Sequence, residues 1–254
     1  GGISMWKAIL SPDFFSTILR STTPILFATL ASAIAAKSGI CNMALEGIML
    51  FSALFGVIFS SLTHSAWLGL LITMVIGGLI GMILAFFILN LKTDEILAAI
   101  AINLTATGGT VLIMVAFSGD RGVSSSIRSV SAPTVTLPLI EKIPFIGSVL
   151  SGQNVLTWLA ILAVILLHLF LYKTPLGLAI RAVGENKNAA ESVGISSRKI
   201  KYIALILSGV LASMGGFYLS GGYMNMFTKD MSGGRGFIAL AASSMGGDTP
   251  VGGF

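Results

Sequence analysis

Three features of this sequence predict an all-α fold: a polytopic transmembrane helix bundle with broken or half helices among its full spans. Only 10% of the 254 residues are charged, against about 25% in a soluble domain, while 55% are hydrophobic and the mean hydropathy is +0.95. So few charges cannot coat a globule of this size. Several stretches run without a charge for about the 20 residues needed to cross about 30 Å of hydrocarbon. Their apolar residues are continuous rather than alternating, which argues against a membrane β-barrel. Glycine is abundant, at 30 residues, as expected where helices approach closely or break within the bilayer. These features set aside a soluble enzyme, a nucleic-acid binder and a disordered chain. The single cysteine, Cys41, allows no internal disulfide.

The first span is predicted over 18–36 and ends at Lys37-Ser-Gly39. His64-Ser65 separates the second, 47–63, from the third, 66–91. Lys92-Thr-Asp-Glu95 then leads to the fourth, 96–117, and a long connection, 118–153, to the fifth, 154–172. A basic loop, 173–201, precedes the sixth, 202–222, and a shorter apolar piece over 236–247 reads as a half span. All of this is read as one transmembrane domain, 1–254. The 173–201 loop carries Lys173, Arg181, Lys187, Arg198, Lys199 and Lys201 against Glu185 and Glu191, and so holds four of the net five positive charges. The positive-inside rule places that loop in the cytoplasm, and alternation puts Lys37 and 92–95 inside and 118–153 outside. Lys7 and Arg20 fall outside and run mildly against the rule. Residues 1–16 are not a signal peptide, because their apolar stretch is too short and no small-residue cleavage site follows a basic start. The chain opens without a methionine and stops at Phe254 after Gly246-Gly-Asp-Thr-Pro250, where a Gly-rich turn is expected to feed another span. It reads as a fragment lacking at least one C-terminal helix.

Few residues suggest bond-making chemistry. A phosphate-cradling loop needs a Gly-Lys pair, and no lysine here follows a glycine. His64 and His168 lie on different segments with no partner at metal-ligand spacing. An intramembrane aspartyl protease needs two membrane-embedded aspartates, whereas Asp13, Asp94, Asp120 and Asp230 sit at segment ends or in loops and Asp248 follows a Gly-Gly turn. No catalytic group, metal or cofactor is expected. What remains is polar groups bordering the spans. Asn42 is expected to cap a helix with Glu46 in its first turn, starting inside the bilayer after a break at Gly39. Thr93 is expected to cap a second such helix, with Asp94 and Glu95 in its first turn and Asn103 on the same side as Glu95. Ordinary capping and pathway lining are both open for these four residues, Asn42, Glu46, Glu95 and Asn103. In the basic loop, Pro175-Leu-Gly177 is expected to end one helix and 178–183 to resume it. Asn186 then caps a short helix over 187–193, stopped by Gly194. Ala189, Ala190 and Val193 are expected to share the face it offers to a partner.

Four ordered motifs carry a resemblance: Gly39-Ile-Cys-Asn-Met-Ala-Leu-Glu-Gly47, Asp94-Glu-Ile96 with Asn103, Gly184-Glu-Asn-Lys-Asn-Ala-Ala-Glu-Ser-Val-Gly-Ile195, and Gly234-Arg-Gly-Phe-Ile-Ala-Leu-Ala241. In this order and spacing the chain resembles permease subunits of bacterial ABC importers of the simple-sugar and nucleoside type, the branch that also holds ribose and branched-chain amino-acid permeases. Its Asn-x-x-x-Glu-Gly resembles the nucleoside, basic-membrane-lipoprotein-linked subgroup more than the ribose permeases, which carry an Asp-Leu-Ser-Val-Gly pattern there. The resemblance implies a multi-pass subunit of the bacterial plasma membrane that pairs with a second permease. It implies cytoplasmic ATP-binding subunits docked on Gly184, Glu185, Asn186, Ala189, Ala190 and Gly194, and an extracytoplasmic substrate-binding lipoprotein. It further implies alternating access along a path to which Asn42, Glu46, Glu95 and Asn103 contribute, with Phe51, Phe55 or Phe86 offering a stacking surface. A secondary-active carrier of a small polar solute is the alternative. It would need a coupling-ion site and would have no use for a docking helix.

Overall fold

The computed structural model describes residues 11–119, 122–124, 126–135 and 151–253. The expectations for Lys7, Asp120, the greater part of 1–16 and the interior of 118–153 lie outside the described residues.

Among the described residues, six helices are long and apolar enough to cross a membrane: α1 (Pro12–Lys37), α2 (Leu45–Thr63), α3 (Ala66–Leu89), α4 (Glu95–Ser118), α5 (Val155–Lys173), and α8 (Ser197–Phe217), which runs on through a π-helical stretch at Tyr218–Tyr223. Between α5 and α8 lie α6 (Pro175–Glu185) and α7 (Lys187–Ser192), and α8 is followed by the half-length helix α9 (Arg235–Met245). Two short strands, β1 (Thr134–Val135) and β2 (Gln153–Asn154), pair antiparallel outside the bundle.

Local chemistry sets most helix starts. Ser11, Ser65, Asp94 and Asn154 each accept a bond from a first-turn amide, at Phe14, Leu68, Ile96 with Leu97, and Leu156. Two expectations are corrected here. Asp94, not Thr93, caps α4. Pro175 opens α6 at its first turn, with the Thr174 hydroxyl accepting from Gly177, instead of closing α5.

The loops sort onto two ends of the bundle. At one end Cys41 N donates to Glu95 Oε2 over 3.2 Å, Tyr202 to Asn90 over 2.9 Å and Lys37 Nζ to the Gly247 carbonyl over 3.1 Å. At the other, Arg20 reaches Gln153, the Val130 amide reaches Ser60, and Ser129 reaches the Ser220 carbonyl. Helix α8 is the centre, packed by α1, α2 and α3. Its seam with α3 is backbone on backbone: a Cβ added to Gly81 would lie 2.3 Å from the Leu205 carbonyl oxygen, and one on Gly209 would lie 2.1 Å from that of Gly77. Only residues without side chains allow helices this close in lipid, where dispersion replaces the hydrophobic effect as glue. A second apolar cluster joins α1 and α5 through Leu30, Ile34, Val164 and Leu171, with Ile180 of α6 closing it.

Candidate functional site

The site is built on the turn between α1 and α2. Gly39 takes φ +76°, which reverses the chain after Lys37. The segment then folds back toward the bundle interior. Asn42 Nδ2 donates to Ser208 Oγ over 2.8 Å, and Ser208 donates to the Ala31 carbonyl over 2.6 Å. Ala31 precedes Lys37 by six residues, so Asn42 lies about 9 Å below the end of α1 at 1.5 Å per residue. Helix α2 therefore starts within the bundle. Asn42 does not occupy the helix-capping position, which falls to Ala44; its side chain instead accepts the Ala44 amide over 3.1 Å, an Asx turn that leads into the helix. Asn42 is fully buried.

One turn further on, Glu46 crosses to α9. Its two carboxylate oxygens accept the amides of Gly234 and Gly236, each over 2.7 Å. Gly234, at φ +81°, stands where a capping side chain would be and offers none. Glu46 supplies the missing acceptor from another helix, and its negative charge suits the positive end of the α9 dipole. Asn103 performs the matching task for α2: its Oδ1 accepts the Gly47 amide over 2.8 Å and its Nδ2 donates to the Met43 carbonyl over 2.9 Å. Glu95 lies apart, at the rim, holding the Cys41 amide.

Glu46 and Asn103 border an open cavity of about 520 Å³, lined also by Ile100, Leu104, Thr107, Asp230, Gly233, Gly234 and Phe237. The structure thus brings two of the four sequence-predicted pathway residues to one cavity. Asn42 sits buried behind it and Glu95 outside it. The Asp230 side chain is exposed and has no partner among the described residues, and Phe237 is 48% exposed on the first turns of α9. Neither was expected from sequence to line the path, although Gly233-Gly234 ahead of a half-length apolar run signals a helix starting inside the membrane. Among the described residues the lining carries the Glu46 and Asp230 carboxylates, and the Arg235 guanidinium, which donates to the Met231 and Ser232 carbonyls, lies beside Gly233. Phe51 and Phe55 lie on a different, apolar groove of about 630 Å³ between α2, α3 and α4, and Phe86 points out from α3. None of the three reaches the cavity, so its aromatic surface is Phe237.

In the basic loop, Asn186 Oδ1 accepts the Ala189 amide over 3.1 Å and Gly194 takes φ +86°, so α7 starts and stops where its capping residues dictate. The Ser197 hydroxyl donates to Glu191 and ties α7 to the start of α8. Ala189 and Val193 are exposed, but Ala190 is 4% exposed and turned inward, which corrects the expectation that all three share an outer face. Gly184 lies against the α1–α2 turn, and Glu185 is exposed.

Comparison with known proteins agrees with this architecture. The family described as branched-chain amino acid transport system / permease component matches residues 14–254. The chain belongs to that permease family. Among its relatives, a nucleoside ABC transporter permease protein of Lactococcus lactis subsp. cremoris is 32% identical over 246 residues, covering 93% of this chain and 76% of that one. A guanosine ABC transporter permease protein of Bacillus subtilis is 31% identical, covering 90% and 73%. A glucose ABC transporter permease protein of Haloferax volcanii is 27% identical, covering 98% and 68%. No solved structure matches the chain. The permease is a multi-pass integral membrane protein of the ABC transporter class.

Proposed function

We propose that this permease forms half of the translocation path of an ATP-driven importer, and that its cargo is an uncharged polar solute of the nucleoside or simple-sugar class. The 520 Å³ cavity carries the reading. The unpaired Asp230 carboxylate accepts hydroxyl donors, Asn103 and Thr107 border the same space, and Phe237 offers an aromatic face to a base or to the apolar side of a sugar ring. Glu46 is matched by the α9 amides it accepts, so the exposed Asp230 carboxylate is the charge that disfavours phosphorylated or carboxylated solutes.

A second permease subunit completes the cavity beside α4, which supplies Ile100, Asn103, Leu104 and Thr107 to its lining. The 173–201 loop faces the cytoplasm, and α7 docks there with an ATP-hydrolysing subunit through Ala189 and Val193. A binding lipoprotein delivers cargo from the opposite end. Hydrolysis then belongs to the partner, and this chain supplies path and lever.

The test is uptake by the full complex in proteoliposomes, with guanosine, uridine and glucose as probes. Uptake should require ATP. Asp230→Asn and Phe237→Ala should each raise the half-saturating concentration by about tenfold, as loss of a charged hydrogen bond or a stacking surface predicts. Undiminished uptake without ATP would remove the importer reading.

A further inference from the structure

We infer that the turn between α1 and α2 is the element through which motion of α7 reaches the cavity, with Gly39, Gly184 and Asn42 as positioning residues. The inference rests on the importer reading above and adds the route by which force travels.

None of the residues lining the cavity comes from the 173–201 loop, so α7 acts on the cavity through something else. The loop touches the α1–α2 turn without intervening side chains. A Cβ on Gly184 would lie 2.1 Å from the Lys37 carbonyl oxygen, and one on Gly39 would lie 3.3 Å from the Gly184 Cα. Gly184 is two residues ahead of Asn186, the cap of α7. Backbones in such contact cannot slide past one another, so displacement of α7 pushes the turn.

On the other side of the turn, the residues that flank it hold both ends of α9. Lys37 Nζ grips the Gly247 carbonyl just past the C-terminus of α9, over 3.1 Å. Glu46 grips the amides of Gly234 and Gly236 at its N-terminus. A half helix held at both ends by one short segment moves with that segment as a rigid body, and α9 carries Phe237 into the cavity. Between the two grips, Asn42 pins the turn to Ser208 of α8 and, through it, to Ala31 of α1. That buried pair is the fulcrum. The chain of contacts is continuous and made of packed backbone and hydrogen bonds, the kind of network able to carry coupling between separate sites.

The test measures two rates in the reconstituted complex: ATP hydrolysis, and uptake of whichever of guanosine, uridine and glucose the unaltered complex imports. Gly39→Ala strains the same contact from the side of the turn, and Asn42→Ala removes the fulcrum without adding bulk. For each variant, hydrolysis per folded complex should stay within about twofold of the unaltered protein while solute imported per ATP falls about tenfold. An unchanged ratio in both variants overturns the inference. So does a loss of both rates in step with the amount of folded complex, which is what a merely structural role predicts. Absence of ATP-dependent uptake in the unaltered complex sinks the importer reading itself, and this inference with it.

Discussion

The inner and outer spans differ in a way opposite to that of a soluble protein. Helices α1, α2 and α8 have 67% of their most apolar stretch buried, against 33% for α3 and α5 and 28% for α4. Yet α3 and α5 are the most apolar of the six and α1 the least. Lipid takes apolar side chains as readily as a protein interior does, so hydrophobicity does not drive a span inward. What moves inside is what lipid refuses: Thr23, Thr29, Ser32, Ser52, Ser208 and Ser213 are all buried on the inner three, and Asn42 is buried in the turn that joins two of them. Helix α4 breaks the pattern. It is no more apolar than α2 and is the most exposed span, with Thr105 and Gly108 on its outer side. The rest of that side is apolar, with Leu97, Leu104, Leu112 and Phe117 exposed, so it suits acyl chains or the apolar face of the second subunit proposed to cover it.

The packing of the inner spans is most sensitive at the α3–α8 seam. Gly81→Leu should abolish monodisperse protein in detergent, because the new side chain collides with backbone at Leu205. Leu79→Ala, on the outer side of the same helix, should leave the elution profile unchanged. A monodisperse Gly81→Leu variant would show that the inner helices are not rigidly seated.

A smaller effect is expected where α4 joins the inner set. Asn103→Leu frees the Gly47 amide and the Met43 carbonyl within the bilayer, costing about 1–3 kcal/mol and lowering Tm by about 3–10 °C. Thermal unfolding in detergent reads this directly, and an unchanged Tm would detach α4 from the bundle energetically. On the opposite side of α4, a Cβ at Gly108 meets nothing within 4 Å. Gly108→Leu should leave the isolated chain's Tm as it is and reduce co-purification of the second permease. Normal co-purification would return that face to lipid.

The smallest effect concerns the rim. Burial first, then the carboxylates of Glu95 and Asp248, push the Cys41 thiol up from its ordinary value. Raising a thiol's pKa lowers its thiolate fraction at a given pH. Maleimide labelling of Cys41 should therefore reach half its maximal rate above the usual pH of about 8.5, and Glu95→Gln should move that midpoint down. A midpoint unmoved by Glu95→Gln would separate Cys41 from α4.

Much of the bundle was legible because its causes are local. A charge-free run of membrane length marks a span wherever it occurs, and Asn186 and Gly194 bound α7 because each acts within a few residues of itself. The cap of α4 was misassigned by one residue, since Thr93 and Asp94 are both good caps and only the backbone decides between them. Glu46 was expected in the first turn of its helix, but its partners lie 188 and 190 residues away and left no mark in its own neighbourhood. Ala190 was placed on the wrong side because a six-residue helix is too short for its pattern to reveal which face is covered.

The number and order of the spans follow from sequence alone, because crossing hydrocarbon demands length and an absence of charge, and both are properties of contiguous residues. The seating of those spans belongs to the tertiary structure. Lipid removes the contrast between inside and outside that would have marked the buried faces. The bonds that build the cavity, from Glu46 to α9 and from Asn103 to α2, depend on which backbone groups of distant segments arrive within 3 Å.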